Sequence, residues 1–129
     1  MTASPRFITK EIAFLLHARS IEEHGGSHGL RDAGGFESAL VAAENRYLYE
    51  EASLTVCAAT YAYHLTKAHA FIDGNKRIAA AVAETFLEWN GSWLDASNDE
   101  VVDLFLAIAA GECTREEVEA FFHEKTKTQ

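Results

Sequence analysis

After Pro5 this chain contains no proline, and that absence constrains its fold more than any residue present. Proline removes a backbone donor and clashes with the preceding helical turn, so it is a common interruption of a helix. Beyond position 5 only glycine and polar clusters can punctuate the chain, and the apolar residues between them recur at helical steps. Ile8, Ile12, Leu15, Leu16 and Ile21 predict a first helix that ends at Gly25-Gly26. Leu40, Ala43, Tyr47 and Leu48 mark a second stripe between Phe36 and Tyr49. Ser53 is placed to cap a third helix, whose Leu54, Cys57, Ala58, Tyr61, Ala62 and Leu65 form a wide apolar face ending near Lys67. A fourth runs from Lys76 to Asn90 through Ile78, Ala79, Val82, Ala83, Phe86 and Trp89, and Gly91 closes it. Its alanines, Ala80 and Ala81 included, admit close neighbours, as a central helix requires. Two capping boxes, Ser97 with Glu100 and Thr114 with Glu117, open two more helices. The first continues to Gly111, the second carries Val118, Phe121 and Phe122, and the polar tail 124–129 is expected to fray. The expectation is an all-α, compact bundle of about six helices, a single domain over residues 1–129 with no repeat or linker.

Composition narrows the function classes. With 48% hydrophobic residues the chain can bury a core. Its net charge of −9 argues against direct nucleic-acid binding, because a phosphate backbone needs a basic surface. The adjacent cations Lys76 and Arg77 are thus a local feature of an acidic protein and favour a small anion at one spot. Cys57 and Cys113 lack metal-site spacing and read as buried free thiols. No apolar run approaches the ~20 residues of a membrane span, and the apolar stretch at 12–16 is too short for a signal peptide. The expected location is the cytoplasm, with no membrane partner.

The densest chemistry lies in His69-Ala-Phe-Ile-Asp-Gly-Asn-Lys-Arg77, between the third and fourth helices. A loop opening into a helix offers free N–H groups and the positive end of the helix dipole, which suits phosphate. Lys76 and Arg77 can be solvated surface charges, as most charge pairs are, but at the unfavourable end of a helix dipole an anion partner is the better explanation. His69 can act as a base near neutral pH. Asp73 can serve as a metal ligand or as a helix N-cap, and Gly74 with Asn75 can supply a tight turn and an anion nest. Phe71 reads as an apolar anchor, and Lys67 is a weaker candidate for a phosphate contact. The glycine-rich stretch from Gly25 to Gly35 matches no nucleotide-loop pattern and reads as a surface connection. His17, His24, His28, His64 and His123 show no motif spacing and are set aside.

The run at 69–77 resembles the motif of the Fic/Doc superfamily, in particular its death-on-curing (Doc) toxin branch. That branch reads H-x-F-x-[DN]-[AG]-N-K-R, and His69, Phe71, Asp73, Gly74, Asn75, Lys76 and Arg77 all match. Gly25-Gly26, Gly29 to Asp32, Gly35 to Leu40 and Phe86 to Gly91 look like the same family, so the resemblance spans about Phe7 to Phe122. It implies a Fic fold in which His69 is the general base, Asp73 holds Mg²⁺, and Gly74, Asn75, Lys76 and Arg77 bind nucleotide phosphate. It also implies a flap around Leu30, Arg31 and Asp32 that docks the target segment.

Two departures from the wider superfamily bear on the reaction. Most Fic proteins carry H-x-F-x-[DE]-G-N-G-R-x-x-R and transfer AMP to a protein hydroxyl. Here Lys76 stands at the second glycine position and Ala80 at the second arginine. Both match the Doc branch, whose members resemble kinases that move the γ-phosphate of ATP to a threonine of elongation factor Tu. An inhibitory [ST]-x-x-x-E-[GN] helix is missing too, since the only candidate, Glu44-Asn45, has Leu40 four residues before it. The resemblance therefore implies a separate antitoxin acting in trans. An AMP or other nucleotidyl transferase is the alternative reaction, and a catalytically silent binding module is the alternative class.

Overall fold

In the computed structural model, which describes residues 4–129, six helices surround one hydrophobic core. In chain order they are α1 (Lys10–His24), α2 (Ala33–Glu50), α3 (Leu54–Ala68), α4 (Asn75–Trp89), α5 (Asn98–Ala109) and α6 (Arg115–Lys125). Local chemistry explains most boundaries. The Ser53 hydroxyl accepts the Val56 N–H at the start of α3, and both capping boxes form with both of their bonds. Thr9 caps α1, and Gly25 at φ 84° ends it.

The all-α expectation holds, with two corrections inside it. The central helix is α3, not α4. Cys57 to Ala62, Leu65 and Thr66 are all buried, and α3 packs against α2, α4, α5 and α6. Ala58, Ala59 and Ala62 have no side chain to hold those neighbours away, so the close packing falls here. By contrast Ala80 and Ala81 of α4 face an open cleft. The second correction concerns the tail. Residues expected to fray form the strand β2 (Thr126–Thr128), antiparallel to β1 (Ser92–Leu94) and in register from Ser92 opposite Thr128 to Leu94 opposite Thr126. Lys125 meets Glu100 at 2.8 Å and anchors the end of α6 to the start of α5.

Two of the expected stripes are also displaced. The buried face of α1 is Ala13, His17 and Ile21, while Leu15 is exposed and Ile8 precedes the helix. In α2 the buried residues are Phe36, Ala39, Leu40 and Ala43, and Leu48 is exposed. Ile8 is instead held in the extended segment before α1, where its N–H donates to the buried Tyr61 hydroxyl at 3.0 Å. Burial pushes that phenol up, so it stays neutral and keeps the bond. Cys57 is a buried free thiol, raised to about 11 by burial, and Cys113 is half-buried and also free.

Candidate active site: a clamped loop at the start of α4

The connection between α3 and α4 is short, and nearly every residue in it has a named partner. His69 is the C-cap of α3 at φ 47°, ψ 44°. A left-handed conformation costs a non-glycine residue roughly 1–2 kcal/mol, so surrounding contacts must impose it. One of those contacts is the Arg31 guanidinium, whose Nη2 donates to the His69 carbonyl at 2.8 Å. The imidazole itself is exposed. Ala70 offers its carbonyl to the N–H groups of Arg31 (2.7 Å) and Asp32 (3.0 Å), and the Ile72 N–H donates to Gly29 at 3.1 Å. Leu30 and Phe71 form an isolated antiparallel bridge. The glycine-rich segment is therefore fastened to the motif loop as a short ribbon. Gly29 suits that bridge because its φ of 135° is a conformation that side-chain-bearing residues rarely adopt.

Phe71 is buried and wedged against Phe36 and His17, as an anchor should be. Its backbone is held by Asn75, whose Oδ1 accepts the Phe71 N–H at 3.0 Å while Nδ2 donates to the Phe71 carbonyl at 2.9 Å. Asn75 thus shapes the loop through its side chain and contributes to the start of α4 through its backbone. Asp73 is not the N-cap of α4. That position belongs to Gly74, at φ 79°, and no side chain caps the helix. The Asp73 carboxylate points to the other side, where Oδ2 accepts the Ser27 N–H at 2.8 Å.

The first turn of α4 is accordingly open. Gly74, Asn75, Lys76 and Arg77 line a cleft of about 950 Å³ between α1, α4 and α5, whose apolar floor includes Leu16, Val101 and Phe105. Lys76 and Arg77 are exposed, and neither pairs with a carboxylate among the described residues. An uncapped helix start and two free cations can receive a small anion such as phosphate. Among the described residues no group of three metal-ligating side chains exists. Asp73 is the one carboxylate of the motif loop, and one of its oxygens is already taken by the Ser27 N–H. Farther along the cleft, Glu84 carries a carboxyl pushed up first by burial and then by Glu88.

The remaining expected residues lie apart from the cleft. His69 and Asp73 sit on the loop outside its lining. Lys67 rests over the Tyr63 ring at 5.9 Å, near Gly111. Asp32 caps α2, its side chain accepting the Gly35 N–H, and Leu30 is about one-third exposed on the ribbon. Of the histidines set aside for want of motif spacing, His17 does meet the loop. It is buried, stacked on Phe71 with ring centroids 3.7 Å apart, and its Nε2 lies 2.8 Å from the Asp73 carbonyl. Its spacing of four from both Ala13 and Ile21 was the available signal, since a polar residue inside a buried stripe must find a partner.

Residues 7–87 match the Fic/DOC family. The chain belongs to that family, on its Doc branch. It is 36% identical over 108 residues to the protein kinase doc of Escherichia phage P1, covering 83% of this chain and 85% of that protein. It is 34% identical over 100 residues to the toxin Doc of Mycolicibacterium smegmatis, covering 74% of this chain and 77% of that one. The clamped loop and the uncapped start of α4 are thus this Doc-branch chain's version of the family motif.

Proposed function

We propose that this protein is the toxin of a toxin–antitoxin pair and a protein kinase, transferring the γ-phosphate of Mg-ATP to a threonine or serine hydroxyl of a translation factor. Elongation factor Tu is the first target to test. The observation that carries the reading is Lys76 at the open start of α4, beside Arg77 and with Ala80 one turn further on. A lysine there adds charge for a terminal phosphate and fills space that a nucleotidyl transferase leaves to glycine. The phage relative, a protein kinase by name, supports the same reaction class.

Each residue has a distinct task in this reading. The exposed His69 imidazole takes the proton of the acceptor hydroxyl as its oxygen bonds to the γ-phosphorus. The bond from that phosphorus to the β,γ-bridging oxygen breaks, and ADP leaves with the electron pair. Gly74, Asn75, Lys76 and Arg77 hold and neutralise the phosphates through N–H groups and side-chain charge. Asp73 holds Mg²⁺, which supplies charge neutralisation between phosphates. Asn75 and Arg31 act on the loop backbone, keeping these groups in register. Leu30, Arg31 and Asp32 present the ribbon edge where the target segment docks. Lys67 has a lesser part, as a long-range cation. Restraint comes from an antitoxin in trans, and the protein acts in the cytoplasm. No helix of the described residues is long and apolar enough to cross a membrane.

The test is intact-mass analysis of elongation factor Tu after incubation with the protein and Mg-ATP. A phosphate-sized increment is expected. An AMP-sized increment replaces the kinase with the nucleotidyl transferase, and Mg-ATP binding with no modification of any translation factor favours the silent module.

A further inference from the structure

We propose that His17 is a positioning residue that sets the orientation of the phosphate-binding turn. The proposal rests on the reading of that turn as a nucleotide site. His17 belongs to α1, far in sequence from the motif, and its side chain is 3% exposed. One face of the ring lies flat on Phe71, with an interplanar angle of 16°. Nε2 is 2.8 Å from the Asp73 carbonyl oxygen. A carbonyl can only accept, so Nε2 carries a proton and donates.

The consequence follows from peptide geometry. The bond between Asp73 and Gly74 is trans, as are all the described peptide bonds. In a trans peptide the C=O and the following N–H point in opposite directions across one plane. Drawing the Asp73 carbonyl onto His17 therefore turns the Gly74 N–H away from His17. Gly74 is the uncapped N-cap of α4 and sits at φ 79°, a conformation in which glycine has no steric preference to hold the plane. The Asn75 side chain brackets the turn and Ile78 holds the Gly74 carbonyl, but the His17 bond is the one that grips the Asp73–Gly74 peptide plane by its own carbonyl. The ring also passes close to Gly74, where an added Cβ would lie 3.6 Å from Nε2.

The same residue is bound on its other side, because the Asp73 carboxylate accepts the Ser27 N–H. Asp73 is thus gripped by its carbonyl from α1 and by its carboxylate from the ribbon. His17 governs the peptide plane and Ser27 governs the side chain. That division makes His17 act on the turn through geometry rather than through contact with any ligand. Partners of this kind, one step removed from a bound group, change affinity or rate by about 10–100-fold when they are lost.

Two substitutions separate the N–H donor from the ring. His17→Phe keeps the volume and the stack on Phe71 but removes the donor. His17→Gln gives up the stack but places an amide N–H at similar reach. Hydrogen exchange is measured without nucleotide at the two bonded amides that bracket the turn, Phe71, which donates to Asn75 Oδ1, and Ile78, which donates to the Gly74 carbonyl, and Mg-ATP binding is measured by calorimetry. His17→Phe is expected to melt cooperatively, to exchange those amides faster, and to bind Mg-ATP about 10–100-fold more weakly. His17→Gln is expected to restore most of both. Unchanged exchange at Phe71 and Ile78 in His17→Phe overturns the proposal, as does equal loss in both variants, which assigns the effect to the ring. If His17→Phe fails to fold, a folded His17→Gln decides the matter, supporting the proposal at near wild-type exchange and overturning it otherwise. If the wild-type protein binds no Mg-ATP, the nucleotide reading falls, while the exchange rates still judge His17.

Discussion

The Asn75 side chain closes a ring with the backbone of Phe71, accepting its N–H at 3.0 Å and donating to its carbonyl at 2.9 Å. Four residues apart, the two positions act as one hinge-free unit that turns the end of the loop into the first turn of α4. Asn75→Asp keeps the shape and the acceptor but sets a carboxylate oxygen against the Phe71 carbonyl. Stability should fall by about 1–3 kcal/mol, the cost of a partly buried carbonyl losing its donor. Phosphate affinity should fall as well, because a negative charge now occupies the helix start. Urea unfolding and ATP titration measure the two effects. A variant as stable as the wild type would show that the ring is incidental.

His69→Ala separates chemistry from architecture. The loop is held at His69 through its carbonyl, which Arg31 grips, while the imidazole is exposed. The variant should therefore melt within a degree or two of the wild type and lose roughly 10²–10⁴-fold in phosphate transfer. Growth arrest on expression should go with it. A stable His69→Ala protein that still arrests growth would remove His69 from the role of base.

Asp73→Asn tests the metal while leaving the ribbon attached. An asparagine oxygen can still accept the Ser27 N–H, so the loop geometry survives and only the charge is lost. Nucleotide binding should lose most of its Mg²⁺ dependence, as calorimetry with and without Mg²⁺ will show. Equal Mg²⁺ dependence in the two proteins would leave Asp73 as a tether for the ribbon.

These side chains differ in how legible they were. Caps at Ser53, Ser97 and Thr114 could be read directly, because a cap is a bond between residues three apart. The loop at 69–77 was legible as a motif, yet its grip was not. His17 and Asp73 are 56 positions apart, Arg31 and His69 are 38, and no local period encodes such pairings. The β1–β2 pair was hidden for the same reason, since three polar residues at a terminus form a strand only when a partner edge is waiting. Leu15 and Leu48 misled because in an amphipathic helix several three- and four-residue steps fit more than one face. Ala13 and Ala39 are the residues that turn the buried side.

Glu84 gives a pH signature to the cleft. Burial, and after it the neighbouring Glu88, holds its carboxyl above the ordinary value of 4.5. An acid whose folded value is raised costs stability when ionised. That cost is absent below the unfolded value and fully present above the folded one. Glu84→Gln should therefore raise the melting temperature at neutral and alkaline pH, with the gain shrinking to nothing as the pH falls below 4.5. Melting curves across that range check it. A gain that is the same at every pH would trace the effect to packing instead of charge.

The proposed kinase and its nucleotidyl-transferase alternative are best told apart at Lys76. It is the second residue of α4, exposed at the mouth of the cleft, with Ala80 one turn further along the same wall. In the proposed kinase reading its ammonium neutralises phosphate at the uncapped helix start, and its stem fills space that a glycine would leave open. Lys76→Gly removes both together. Loss of the charge should abolish or severely weaken γ-phosphate transfer, since phosphoryl transfer depends on positioning and charge stabilisation. The opened space lets ATP present its α-phosphate to the acceptor hydroxyl, so weak AMP transfer is expected in its place. It stays weak because Ala80 supplies no second cation to hold the nucleotide that way round. Helix stability changes little: a glycine costs about 1 kcal/mol in a helix interior, less in the first turn. The readout is the mass added to elongation factor Tu by wild type and variant side by side. A phosphate-sized adduct that disappears in Lys76→Gly supports the kinase. An AMP-sized adduct from the wild type reverses the assignment and makes Lys76 a spectator.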